Sequence, residues 1–177
     1  VLSAAGDVDG DGYDDVLLSS WYADPSGRTN AGEAYLMLGP ISGEVSVSDA
    51  QARFPGVAAG DAAGRSLAGL GDINGDSAGD IAVGAKRADE GGLDAGSAYV
   101  VLGPLSGTID LGLSDTVFTG EAAGDRAGMS ITRVADQDGG GPGSPGRRCG
   151  RATERCPVPT AAATSSFPLL VGGRETF

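Results

Sequence analysis

The feature that most constrains this chain is a block that occurs twice. Gly6-Asp7-Val8-Asp9-Gly10-Asp11-Gly12-Tyr13-Asp14-Asp15-Val16-Leu17-Leu18 returns as Gly71-Asp72-Ile73-Asn74-Gly75-Asp76-Ser77-Ala78-Gly79-Asp80-Ile81-Ala82-Val83, an offset of 65 from Gly6 to Gly71. Ala31-Gly32-Glu33-Ala34-Tyr35-Leu36-Met37-Leu38-Gly39-Pro40 returns as Ala95-Gly96-Ser97-Ala98-Tyr99-Val100-Val101-Leu102-Gly103-Pro104 at an offset of 64. Gly60-Asp61-Ala62-Ala63-Gly64-Arg65-Ser66 returns as Gly124-Asp125-Arg126-Ala127-Gly128-Met129-Ser130. Three blocks in one order at nearly one spacing make a repeat protein, and a fixed period of this kind decides the fold class.

Within a unit the local pattern is strand. Asp15-Val16-Leu17-Leu18 and Asp80-Ile81-Ala82-Val83 are short apolar runs leaving an Asp/Gly loop. Tyr35-Leu36-Met37-Leu38 and Tyr99-Val100-Val101-Leu102 are closed by Gly-Pro, which stops a strand. Arg65-Ser66-Leu67-Ala68-Gly69-Leu70 leads into the second Asp loop. Thr116-Val117-Phe118-Thr119 has edge-strand composition, with Arg53-Phe54 as its weaker counterpart in the first unit. No segment keeps the i, i+3, i+4, i+7 spacing of an amphipathic helix. Four short strands in each repeating unit predict an all-β chain, a partial β-propeller of four-stranded antiparallel blades.

The chemistry lies in the Asp loops. Asp7, Asp9, Asp11 and Asp15 stand at positions 1, 3, 5 and 9, and Asp72, Asn74, Asp76 and Asp80 hold the same positions in the second loop. Alternate side chains of a tight loop converge, and the carbonyls of Tyr13 and Ala78 at position 7 can join them. Hard oxygen donors at six- to eight-fold coordination select Ca²⁺. With no cation, carboxylates ~4 Å apart repel by ~1 kcal/mol per pair in water and ~4 at an effective dielectric of 20, so poorly ordered loops are expected until an ion enters. A metal-free Asp-Gly turn competes with this reading, but both loops agree at every side-chain position. An EF-hand is excluded: it needs a bidentate acid at position 12, where this chain has Leu18 and Val83, and it needs flanking helices.

These residues resemble the FG-GAP repeats of integrin α-subunit β-propellers and their bacterial relatives, over residues 1 to about 138. The likeness rests on the order Gly-x-Ser, Gly-Asp-Ile-Asn-Gly-Asp, Asp-Ile-Ala-Val-Gly-Ala and Gly-Ser-Ala-Tyr. The chain departs from the pattern at the naming Phe-Gly pair, which is Ala63-Gly64 and Ala127-Gly128. It departs again at Gly-Ala-Pro, which becomes Gly84-Ala85-Lys86 or Ser19-Ser20-Trp21. The resemblance implies a seven-bladed propeller, calcium in the hairpin between the first two strands of a blade, a secreted or cell-surface setting, and ligands bound by loops on one face. Two units and the start of a third fall short of the four to eight blades of a closed propeller, so the chain is expected to be a fragment whose partners include the remaining blades.

Composition narrows the function. The chain has no histidine, which removes Ser-His-Asp and Cys-His catalysis and His-ligated zinc or haem. Gly64-Arg65-Ser66 is not a nucleophile elbow, because Leu67-Ala68 follows it. Residues 1–138 carry 22 acids against seven basic residues, −15, which argues against nucleic acid. No apolar run approaches the ~20 residues of a membrane helix, and residues 1–6 look neither like a signal peptide nor like the start of a complete gene product. The expected function is a calcium-binding adhesion or ligand-binding module for a protein or carbohydrate. The alternative is an accessory propeller of a secreted hydrolase or lyase. Asp24 and Asp89-Glu90 read as solvated charge. Trp21-Tyr22 reads either as a ligand contact or as packing on the next blade.

A boundary falls near residue 139. Residues 1–139 are the propeller blades, whereas residues 140–177 form a basic, Pro/Gly/Arg-rich tail expected to be disordered, with Cys149 and Cys156 serving no designed role. The third Asp loop keeps Asp136 and Asp138 but has Gly140 and Ser144 at positions 5 and 9, so it is not expected to bind a cation. Moved one base downstream, the back-translated tail can read Ala-Asp-Pro-Asp-Leu-Leu-Val-Gly-Ala-Ala-Ala-Glu, close to Gly79–Glu90, which suggests a frameshifted third blade. A genuine linker is the competing reading.

Overall fold

The computed structural model describes residues 1–134, together with the backbone pairing of residues 170–171. The third loop, the cysteines, the expected disorder of the tail and the frameshift lie outside the described residues. Blade 1 consists of β1 (Leu2–Gly6), β2 (Asp15–Ser20), β3 (Glu33–Met37) and β4 (Ala52–Pro55), paired antiparallel in chain order. Blade 2 repeats this with β5 (Ala63–Gly71), β6 (Asp80–Ala85), β7 (Ser97–Val101) and, as its outer strand, β9 (Thr116–Thr119). β10 (Ile131–Thr132) opens a third unit and pairs with β11 (Leu170–Val171), a pairing inside the segment expected to carry no strand. Among the described residues helical structure is confined to three single 3-10 turns.

One strand has no counterpart in the sequence reading. β8 (Gly107–Thr108) leaves blade 2 and adds in parallel to the outer edge of blade 1, Ala52 opposite Gly107 and Arg53 opposite Thr108. It is too short to leave a periodic signal, and its partner is in the neighbouring blade.

The blades stack face to face, and that stacking makes the core. All six residues of β6 and all five of β7 are buried, so these strands read as continuous apolar runs rather than alternating ones. Leu17, Leu36 and Phe54 of blade 1 form one cluster with Ile81, Val83, Tyr99, Leu105 and Leu111 of blade 2. A second cluster joins Ala68, Leu70, Ala82, Ala98 and Val100 to Ile131 of the third unit. Each large apolar side chain removed from water contributes about 1.5–3 kcal/mol.

Close backbone approach sets the blade spacing. Ser19 on β2 donates its hydroxyl to the carbonyl of Gly64 at 2.6 Å. In the next junction the residue equivalent to Ser19 is Gly84, which has no hydroxyl, and Ser66 on the adjacent strand donates instead to the Gly128 carbonyl at 2.7 Å. Gly84 is required there, because a Cβ on it would stand 2.0 Å from the Gly128 oxygen.

Internal comparison also identifies a face that lacks a neighbour. Leu105 and Leu111 of blade 2 are 6% and 0% exposed against blade 1. Their equivalents in blade 1, Ile41 and Val47, are 45% and 46% exposed, with Val45 beside them at 46%. Ile41 and Val45 help line a shallow cavity of about 240 Å³ with Met37 and Leu38. The surface that docks blade 2 onto blade 1 is thus present on blade 1 and open.

Gly84→Ala is expected to destabilise the fold by about 1–3 kcal/mol or more, because backbone rather than a movable side chain blocks the new methyl. Urea unfolding of the two proteins measures it; an unchanged midpoint would show that the blade junction gives way freely.

Candidate metal centre

Each Asp loop is the hairpin between the first two strands of its blade, β1–β2 and β5–β6. In the first loop, carboxylate oxygens of Asp7, Asp9 and Asp15 lie within 4.8 Å of one another. Among the described residues this is the one trio of acids so arranged; the second loop, with Asn74 in place of the second acid, does not form one. Asp11 lies outside the trio.

The carboxylates are occupied by the loop's own backbone. Asp7 accepts the amides of Gly10 at 2.8 Å and Gly12 at 3.0 Å, and Asp11 accepts that of Tyr13 at 2.8 Å. In the second loop Asp72 accepts Gly75 at 2.6 Å and Ser77 at 2.9 Å, and Asp76 accepts Ala78 at 2.8 Å. Asn74 gives what a carboxylate cannot: its Nδ2 donates to Asp76 at 2.8 Å while its oxygen accepts the Asp76 amide at 3.0 Å. These bonds offset the repulsion that the sequence reading counted as unopposed, so the loop conformation has support of its own. Burial, the largest single influence on Asp72, pushes its pKa up, but the amides of Ser77, Gly75, Asp76 and Asn74 together hold it below the ordinary carboxylate value.

Asp15 and Asp80 do something different. Both are buried, at 1% and 0% exposure, and both use two oxygens to tie distant segments. Asp15 accepts Val8 N–H at 2.7 Å and Gly39 N–H at 2.8 Å. Asp80 accepts Ile73 N–H at 2.7 Å and Gly103 N–H at 2.8 Å. Each joins its Asp loop to the Gly-Pro turn that follows the third strand. Burial raises the pKa of Asp80 more than the Ile73 and Gly103 amides lower it, and the charges of Asp76 and Asp72 add to the rise. Position 9 of the loop therefore carries a structural bridge, which the spacing alone did not signal.

The residues fit a hard cation. The donors are carboxylate, amide and backbone oxygens, three carboxylates of the first loop already converge, and each oxygen that accepts one amide keeps a further lone pair.

The opposite strand ends hold the charges read as solvated, which are exposed and also accept hydrogen bonds from their own loops. Asp24 accepts the Asn30 amide at 2.7 Å, and Asp89 accepts that of Asp94 at 2.7 Å. Glu90 accepts the hydroxyls of Ser97 and Tyr99, each at 3.1 Å. All three acids are exposed yet engaged, because the loops fold back over the strands that they connect. Asp61 is buried and accepts the Ala58 amide at 2.7 Å, a bond repeated by Asp125 and Ala122 at 2.8 Å. Burial raises the Asp61 pKa to about 6, helped by Glu90 and Asp89 and opposed by the Ala58 amide and Arg28. Trp21 packs on the next blade, with the Arg65 guanidinium 5.4 Å from its ring centroid.

Face-stacked, four-stranded antiparallel blades with an aspartate loop in the first hairpin define the chain as part of a β-propeller. Residues 2–37 and 63–101 match the FG-GAP repeat, one match per blade, and the chain is an FG-GAP repeat protein. It is 31% identical over 153 residues to integrin alpha-PS2 of Drosophila melanogaster, which covers 77% of this chain and 10% of that protein. The chain thus spans about a tenth of the length of this curated relative. No helix among the described residues is long and apolar enough to cross a membrane.

Asp80→Asn keeps one acceptor and turns the other into a donor facing an amide. It is expected to cost about 1–3 kcal/mol in denaturant unfolding with a chelator present, and an undiminished midpoint would refute the bridging role. Asp61 gives a pH signature. Its folded pKa, about 6, lies above the ordinary aspartate value of 3.8, so the folded state binds more protons between those limits and stability falls as pH rises through the window. Asp61→Asn, which retains the acceptor for Ala58, should flatten that part of the stability–pH curve.

Proposed function

We propose that this chain is part of a calcium-stabilised, extracellular β-propeller that serves as an adhesion or ligand-binding module and carries no chemistry of its own. The observation that carries the reading is the convergence of Asp7, Asp9 and Asp15 oxygens in a hairpin loop of an FG-GAP repeat. In the first loop Asp7, Asp9, Asp11, Asp15 and the Tyr13 carbonyl would hold the ion. In the second, Asp72, Asn74, Asp76, Asp80 and the Ala78 carbonyl would do so. A bound cation supplies charge neutralisation and stabilises the folded hairpin by mass action.

The resemblance to integrin alpha-PS2 supports a secreted or cell-surface setting and a protein or carbohydrate ligand. Further blades of a parent propeller are its structural partners, and the open Ile41–Val45–Val47 face supports this, because the equivalent residues of blade 2 dock on blade 1.

Calorimetric titration of the full chain tests the metal reading. Calcium uptake at both loops is expected, tighter at the first, which has one more carboxylate. Asp76→Ala is expected to weaken the second site by about tenfold or more and leave the first unchanged. Absence of uptake by the folded chain would sink the reading.

A further inference from the structure

The two aspartate loops touch each other across the blade junction. The carbonyl of Val8, at position 2 of the first loop, accepts the amide of Gly79, at position 8 of the second, at 2.9 Å. Val8 is itself fixed. Its amide donates to Asp15 at 2.7 Å, and its side chain, 4% exposed, lies in the core that the two blades share. Gly79 has to be glycine for this approach, since a Cβ on it would stand 2.7 Å from the Val8 Cα. The equivalent residue of the first loop is Asp14, which is exposed and whose amide donates to no carbonyl among the described residues. The brace thus runs from the first loop to the second.

The Gly79 amide belongs to the same peptide group as the Ala78 carbonyl, the oxygen at position 7 of the second loop. A trans peptide is planar, so a bond that fixes the N–H also fixes the direction of the C=O. The same bond polarises the peptide and makes its oxygen a better donor to a cation. One residue further on, Asp80 is anchored by the amides of Ile73 and Gly103. The second loop has no converging trio of carboxylates, so it depends more than the first on how its neutral oxygens are placed.

We propose that Val8 and Gly79 are positioning residues of the second cation site, through which occupancy of the first loop raises the affinity of the second. The proposal rests on the reading of both loops as calcium sites and adds the coupling between them. Asp7 and Asp9 flank Val8, and Asp15 holds its amide. Drawn together on an ion, these three carboxylates restrain Val8 and with it the Ala78–Gly79 peptide. Less freedom is then left to lose when the second loop binds, which is positive coupling without a change of fold. The through-space effect has the opposite sign, because two cations repel. The first loop has one more carboxylate and fills first, so the coupling is read at the second.

The test is a calcium titration of the full chain followed in backbone amide resonances. Gly10 and Gly12 report the first loop, and Gly75 and Ser77 report the second. Asp9→Asn with Asp11→Asn weakens the first site but keeps an acceptor oxygen for the amides of Asp11 and Tyr13. In this variant the affinity of the second loop is expected to fall about fivefold or more. The fall should persist in about 0.5 M salt, where a screening length of about 4 Å hides the lost charges. In the unaltered chain the Gly79 amide should gain protection from hydrogen exchange as Gly10 and Gly12 saturate, before Gly75 and Ser77 respond. Gly79→Ala, which forces Val8 away, should make the second loop independent of the first, with circular dichroism reporting its folding. An unchanged second-loop affinity, a fall that disappears with salt, or Gly79 protection that waits for the second loop overturns the coupling and leaves two-site uptake standing. No uptake at either loop overturns the metal reading and the coupling with it.

Discussion

Each blade depends on one buried carboxylate at the start of its second strand. Asp15 and Asp80 use both oxygens on backbone amides, one in the preceding loop and one in the turn after the third strand, at the same distances in both blades. A buried charge is costly unless paired or hydrogen-bonded, and these amides are the compensation. The bond pair closes the end of three strands at once. The Asp loop is then presented by a fixed frame, whether or not an ion sits in it.

Between blades the constraint is steric. Gly64 and Gly128 bring their carbonyls against the second strand of the preceding blade, and the hydroxyl comes from Ser19 of that strand or from Ser66 of the first strand beside it. The glycines of the family's naming motif acquire a physical meaning here. The first glycine of one repeat packs against the second-strand residue of the repeat before it, and in one junction that residue is itself glycine. Where the naming motif has phenylalanine this chain has Ala63, which is buried.

The two ends of the blades divide their chemistry. One end carries the aspartate hairpins, whose donors are all oxygen. The other carries loops in which acids accept hydrogen bonds from their own backbone and hydroxyls, and where the Arg65 guanidinium stands over the Trp21 ring. Strand direction enforces the separation, since the hairpins after β1 and β5 and the loops after β2 and β6 leave opposite ends of one sheet.

Much of this was legible in the sequence. The offset between Gly6 and Gly71 fixed the number of blades, and the apolar runs ending in Gly-Pro located β3 and β7, because strand pattern and turn residues are local properties. The placing of Asp7, Asp9 and Asp15 in one hairpin loop was legible for the same reason, whereas Asp11 at position 5 lies outside the group of carboxylates that converges there. What spacing could not reveal was the second use of Asp15 and Asp80, since Gly39 and Gly103 are distant in the chain and adjacent only once the third strand is laid down. Nor could it reveal β8, whose two residues pair with another blade, or the placing of the Arg65 guanidinium over the Trp21 ring of the preceding blade. The sequence by itself determined the repeat, the strands and the oxygen-rich loops, through short-range stereochemistry and hydrophobic pattern. The tertiary structure alone decided which charges meet and which face stays open, because those depend on how one blade lies against the next.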